Sequence, residues 1–104
     1  MFGQMKMLWE LQQKAKKLQK ELKKARFEET GYNGNVKVVV SGEGKLVEVK
    51  INPEALKDIV SVENALVNAV NRAIQKAAEY QREKTKEFLA QLPPEYRKEL
   101  EKFL

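Results

Sequence analysis

Lys16, Lys20 and Lys24 recur every fourth residue in a stretch with no Pro or Gly from Gln4 to Arg26, and Lys14, Lys17, Lys23 and Arg26 stand among them. Residues four apart share one face of a helix, so this spacing stacks like charges that repel one another. Ordinary solvated faces mix signs, often as Glu-to-Lys pairs four apart, as Glu10 and Lys14 do here. A self-repelling stripe costs helix stability, and the chemistry it suits is attraction of a polyanion. The first 26 residues carry eight Lys+Arg against two Asp+Glu, a net +6, while the other 78 carry 12 against 13, a net −1. The competing reading is the solvated back of a coiled-coil helix.

Other chemistry is scarce. The 104 residues include no His and no Cys, which removes the usual zinc ligands and the Ser-His and Cys-His nucleophile pairs. The hydroxyls of Thr30, Ser41, Ser61 and Thr85 sit where turns or helix caps want them. Gly42 and Gly44 lie in a hairpin signal and lack both the GK[ST] ending and the GxGxxG spacing of phosphate loops. The expectation is a protein that is not an enzyme, with no cofactor, no metal and no small-molecule substrate. No apolar run approaches the roughly 20 residues of a bilayer span, and no apolar signal-peptide core follows the basic start, so no membrane partner is expected. The absence of cysteine fits a reducing cytosol.

The length predicts a single domain over residues 1–104. Leu8, Leu11, Ala15, Leu18, Leu22 and Ala25 are spaced 3, 4, 3, 4 and 3 apart, a heptad seam within a basic amphipathic helix over residues 1–26. Lys16, Lys17, Lys20, Lys23 and Lys24 fall opposite that seam. Residues 27–52 read as a three-stranded antiparallel meander, although 27–31 alone is ambiguous. Asn33-Gly34 is a turn signal, since both residues accept positive φ, and Gly42-Glu43-Gly44 marks a second turn. Val36, Val38 and Val40, and after the second turn Val47, Val49 and Ile51, alternate with other residues and are the expected core face.

Asn52-Pro53 suits the cap of a short helical turn, and Ser61 the N-cap of a long helix, together covering 53–91. Val62, Leu66, Ala69, Val70, Ala73, Ile74 and Ala77 form the apolar face of that helix. Pro93-Pro94 stops it, and 92–104 reads as a short terminal helix with Tyr96, Leu100, Phe103 and Leu104 on its apolar side. A helix of roughly 30 residues spans about 45 Å, more than a small sheet covers, so a homodimer is expected to bury what one chain leaves open. Trp9 suits packing against a neighbouring subunit or against Phe2 and Met5, with base stacking as its alternative. Asn68 and Asn71 suit hydrogen bonds across a dimer or to a strand edge, with adenine reading as their alternative. Arg72, Lys76, Arg82, Lys84 and Lys86 interleave with Glu79, Glu83 and Glu87 as a mixed solvated face.

With these elements in order, the chain resembles the YbaB/EbfC family of nucleoid-associated proteins. The residues that carry the resemblance are Met1-Phe2-Gly3, the Gln/Lys-rich Leu11-Gln12-Gln13-Lys14-Ala15, and the strand Asn35 to Gly42. The junction Val49-Lys50-Ile51-Asn52-Pro53, the helix segment Asn68 to Ala73 and the ending Leu92-Pro93-Pro94 complete it. The resemblance implies an α+β protomer of order α-β-β-β-α, an intertwined homodimer, and cytoplasmic, nucleoid-associated binding of duplex DNA with little sequence preference. The residues expected to contact DNA phosphates are Lys14, Lys16, Lys17, Lys20, Lys23, Lys24 and Arg26. A coiled-coil adaptor whose basic helix docks an acidic protein, and an RNA-binding protein, are the alternative readings.

Overall fold

The uninterrupted run of helix formers at the start of the chain folds as one helix, α1 (Phe2–Lys24), in a computed structural model that describes residues 2–101 and the side chains of residues 3–98. Lys23 and Lys24 close its last turn, where the carbonyl end of the helix dipole favours cations. The Arg26 guanidinium donates to the carbonyl oxygens of Lys23 and Ala25, acceptors that a helix end leaves over. Arg26 itself opens the first strand instead of closing the helix.

Three antiparallel strands follow in the order β1 (Arg26–Gly31), β2 (Val36–Ser41) and β3 (Leu46–Ile51), so the protomer is α+β as expected. The ambiguous 27–31 segment is a full strand because it pairs residue for residue with β2, from Arg26 opposite Ser41 to Gly31 opposite Val36. The β1–β2 loop places Tyr32, Asn33 and Gly34 all at positive φ (50°, 55° and 83°). Asn and Gly tolerate this; Tyr32 is held there by bonds from the Asn35 backbone N–H (3.0 Å) and the Asn35 side-chain amide (2.8 Å) to its carbonyl.

Val36, Val38 and Val40 of the central strand are fully buried, but β3 departs from the expected core face. A bulge pairs Glu48 with Val39 and Leu46 with Val40, leaving Val47 in excess. Val47 and Val49 are exposed in the protomer. The reason is the placement of the long helix α2 (Ile59–Ala90), which packs over β1 and β2 and leaves most of β3 uncovered.

A 3-10 turn (Pro53–Asp58) leads into α2, capped by Asn52, whose side-chain oxygen accepts from the Glu54 N–H at 3.2 Å. The N-cap of α2 is Asp58, not Ser61. One Asp58 oxygen accepts the Ser61 N–H (3.1 Å) and the other its hydroxyl (2.6 Å), so the helix starts about a turn before the expected cap. Ala69, Ala73 and Ala77 are wholly buried on Val38 and Val40, with Phe27, Leu66 and Val70 at the margin; Val62 and Ala55 close over Val36. Alanines every fourth residue let the helix approach the sheet closely.

Thirty-two residues of helix rise about 48 Å, whereas a six-residue strand spans about 20 Å, so the distal half of α2 runs past the sheet. There α1 meets it, and the molecule measures 66 × 20 × 16 Å. Leu92 is buried beyond the end of α2, and α3 (Pro94–Glu101) begins at the expected Pro-Pro stop. Phe103, Leu104 and the side chain of Leu100 lie outside the described residues, as does the side chain of Phe2.

Candidate nucleic-acid interface

The lysine stripe is useful only if α1 is held as a rigid arm, and three contacts hold it. At its C-terminal end Gly42 lies against it so closely that a Cβ there would sit 2.6 Å from the Leu22 carbonyl oxygen and 3.0 Å from the Ala25 Cβ. The Gly42 N–H donates to the Ala25 carbonyl at 3.1 Å, and the Gln81 side chain of α2 donates to the Gly42 carbonyl at 2.7 Å. Gly42 is thus where α1, β2 and α2 meet. One turn back along α1, Lys84 of α2 lies 3.3 Å from Glu21 and 3.3 Å from Glu87, over the ring of Tyr80 (5.5 Å), which meets Phe27 edge-on at 5.4 Å. Hydrogen bonds to Glu87 and Glu21 hold the Lys84 ammonium above its ordinary pKa. Further along, the Lys14 ammonium donates to the Gln91 carbonyl at 3.1 Å, capping the end of α2. Glu21 and Lys14 are seven residues apart, as are Lys84 and Gln91, so the two helices run antiparallel.

The seven residues expected at the interface divide accordingly. Lys16, Lys17, Lys20, Lys23 and Lys24 are exposed and make no ion pair among the described residues. Lys14 and Arg26 are committed to backbone carbonyls at the two ends of the series. The leucine seam faces inward, with Leu11, Ala15, Leu18 and Leu22 half-buried, while Leu8 near the free end stays exposed.

Several charges of the sheet and of α2 are paired. Lys37 lies 3.3 Å from Glu28 and Lys50 3.4 Å from Glu48. Glu29 on β1 receives Lys76 at 2.8 Å and Arg72 at 3.7 Å, and Arg72 also donates to the Thr30 carbonyl at 2.7 Å. The Lys76 hydrogen bond, helped by the positive charges of Lys76 and Arg72, holds the Glu29 carboxyl below its ordinary pKa against the opposing effect of burial. The acid that pairs with Arg72 and Lys76 is therefore Glu29 of the sheet.

Trp9 is 62% exposed and Met5 70%, so neither is packed into the protomer. Asn68 and Asn71 are exposed as well, and no hydrogen bond joins them to a strand; the strand-edge bond comes from Arg72 instead. Sequence reasoning missed an apolar groove between β3 and α2, lined by Leu46, Val49, Leu66, Val67 and Val70 with Asn71 at one side. Its only sequence signal is Val67, an apolar residue off the face that meets the sheet. No described helix is long and apolar enough to cross a membrane, and no cluster of metal-ligating side chains occurs among the described residues.

The profile of the YbaB/EbfC DNA-binding family matches residues 1–92. A nucleoid-associated protein of Chlorobium phaeobacteroides is 40% identical over 79 residues, 76% of this chain and 71% of that one. Another, from Dictyoglomus thermophilum, is 38% identical over 85 residues, 80% of this chain and 82% of its own. An uncharacterized Helicobacter pylori protein of known crystal structure shares the fold with a TM-score of 0.76 at 22% identity, covering 86% of this chain and 97% of its own.

Proposed function

This chain belongs to the YbaB/EbfC DNA-binding family, and from that premise we propose that it is a non-enzymatic, nucleoid-associated protein of the cytoplasm that binds duplex DNA as a homodimer. Binding runs through phosphate contacts with little preference for sequence. The observation that carries this reading is the set of exposed, unpaired lysines on α1: Lys16, Lys17, Lys20, Lys23 and Lys24. Lysine is a compact point charge that neutralises phosphate without the planar fork by which arginine reads guanine. Lys14 and Arg26 add charge at the two ends of the stripe while keeping their carbonyl partners.

The homodimer is supported by the apolar groove along β3. Val67 is 60% exposed beside it, and Leu46 and Val49 are open next to an unpaired strand edge. A soluble chain keeps such a face covered, and a second copy offers the complementary face around a two-fold axis. The dimer then carries two lysine arms. If roughly six phosphates are neutralised, log affinity falls against log salt with a slope of about −5.

The test is fluorescence anisotropy of a labelled duplex of about 30 base pairs, titrated at several salt concentrations. Tight, steeply salt-dependent binding, matched by an unrelated duplex, is the expected outcome. Sequence-restricted binding, or a preference for A-form RNA duplex, would contradict the reading. Sedimentation of wild type and Val67→Glu tests the dimer: the wild type should run as a dimer and the variant as a monomer.

A further inference from the structure

We propose that the free end of α1 inserts into the DNA base stack through Trp9, with Met5 beside it, so that each arm grips phosphates with its lysines and deforms the duplex with its tip. This rests on the DNA-binding reading and adds a contact to the bases.

The argument starts from helix geometry. At 100° per residue, Lys16 and Lys20 lie about 20° to either side of Trp9, and Lys23 and Met5 each about 40° from it. The leucine seam of Leu11, Leu18 and Leu22 lies on the opposite side. Met5, Trp9 and three unpaired lysines therefore form one stripe on the face turned away from α2. Trp9 is the chain's sole tryptophan, and its exposure within this stripe calls for a partner that is both anionic and apolar.

Position along the helix agrees. Lys14 caps the end of α2, so the turns of α1 before it run beyond the last turn of that helix. Trp9 stands about 10 Å from Lys16 and about 21 Å from Lys23 along α1, a distance of roughly six base pairs. Lysines seated on a phosphate strand at that range bring the indole to a groove. There an apolar wedge enters between base pairs and kinks the duplex. Duplex DNA is the occupant that meets both halves of the stripe, phosphate for the lysines and stacked bases for the indole and thioether. Insertion is easiest at pyrimidine–purine steps, which unstack readily.

Because Trp9 is the only indole, its emission reports on itself alone. The experiment titrates the full chain with an unlabelled duplex while following tryptophan emission, in parallel with anisotropy of a labelled duplex and end-to-end energy transfer across a doubly labelled one. Strong quenching in step with the anisotropy rise and a shortened end-to-end distance are expected. Trp9→Ala should bind about tenfold more weakly, leave the salt slope unchanged and abolish the shortening, while Trp9→Phe keeps most of both. Duplexes with a central TA step should bind wild type more tightly than A-tracts do, a difference lost in Trp9→Ala.

Binding without any change in emission, or a Trp9→Ala variant with wild-type affinity and bend, overturns the insertion and leaves the phosphate reading standing. Emission that responds to protein concentration but not to DNA also overturns it, placing Trp9 between subunits. No anisotropy rise at all removes the DNA-binding reading itself, and the insertion with it.

Discussion

In the sheet and the part of α2 above it, Lys37, Lys50, Arg72 and Lys76 each lie between 2.8 and 3.7 Å from a carboxylate; along α1, Lys16, Lys17, Lys20, Lys23 and Lys24 make no ion pair among the described residues. The same chemistry is handled in two ways within one small chain. Surface ion pairs contribute little to stability, so their placement in the body is not explained by energy alone. The body is close to neutral by composition, and the positive charge is concentrated on one arm. Solubility would be served equally well by a mixed-sign arm. The unmatched arm is costlier for its own helix, and that cost is what the proposed phosphate contacts would account for.

The largest expected effect attacks the arm directly. Combined Lys16→Glu, Lys20→Glu and Lys23→Glu should weaken duplex binding by about a hundredfold or more, because each lost phosphate contact also removes roughly 0.9 from the salt slope. The melting temperature should stay within about 3 °C, since exposed substitutions away from packed features change stability little. Anisotropy and thermal melting on the same samples separate the two. A melting temperature that collapses along with binding would mean that the lysines hold the helix together, and the contrast between arm and body would dissolve.

Next in size is the joint between the two regions. Gly42→Ala places a methyl against the Leu22 carbonyl and Ala25, both backbone-anchored, so the contact cannot relax by swinging a flexible side chain aside. Overpacking of this kind costs about 1–3 kcal/mol, readable as a lower midpoint in urea. The atoms nearest to the added methyl belong to Leu22 and Ala25, so the loss should appear as α1 loosening first. Hydrogen exchange that protects β2 normally while α1 amides exchange faster would bear this out, whereas uniform loss would show that arm and body unfold as one unit.

Local patterns made much of this architecture legible. The heptad spacing, the Asn33-Gly34 turn, the alternating valines of β2 and the Pro93-Pro94 stop each act over a few residues, and each marks an element of the observed order, although α1 ends at Lys24 and Arg26 already belongs to β1. What could not be read depends on partners far along the chain. The bulge at Val47 is set by pairing with Val39 and Val40, and the exposure of Val49 follows from where α2 happens to lie. Asp58 displaced Ser61 as cap although the two bond each other, because either residue satisfies the cap pattern and only the backbone chooses. The lysine face was visible from its repeat, but nothing in the repeat distinguished Lys14 and Arg26, whose donors are taken by carbonyls.

A smaller effect sharpens the comparison one charge at a time. Lys20→Ala removes an unmatched cation twice in the proposed dimer and should flatten the salt slope by about 1.8. Lys76→Ala removes a cation already matched by Glu29 and should leave that slope unchanged. Equal flattening by both variants would show that pairing in the free protein does not decide which charges meet DNA.

The smallest effect lies in the body and has a definite sign in pH. Glu29 is held below its ordinary pKa by the Lys76 hydrogen bond and by the charges of Lys76 and Arg72. A carboxylate lowered in the folded state adds stability above the ordinary carboxylate range and loses it as pH falls through the folded value, because the unfolded chain takes up its proton first. Glu29→Gln should therefore melt lower than wild type at neutral pH, with the gap closing in acid. Arg72 and Lys76 are about half exposed while the Glu29 side chain is 19% exposed, so solvent screens the cluster and added salt should shrink the gap further. Freeing Arg72 and Lys76 also lends the body two unmatched cations, and DNA binding by the variant should then rise slightly. A gap that persists unchanged into acid would trace the loss to packing of the glutamine and not to the charges of this cluster.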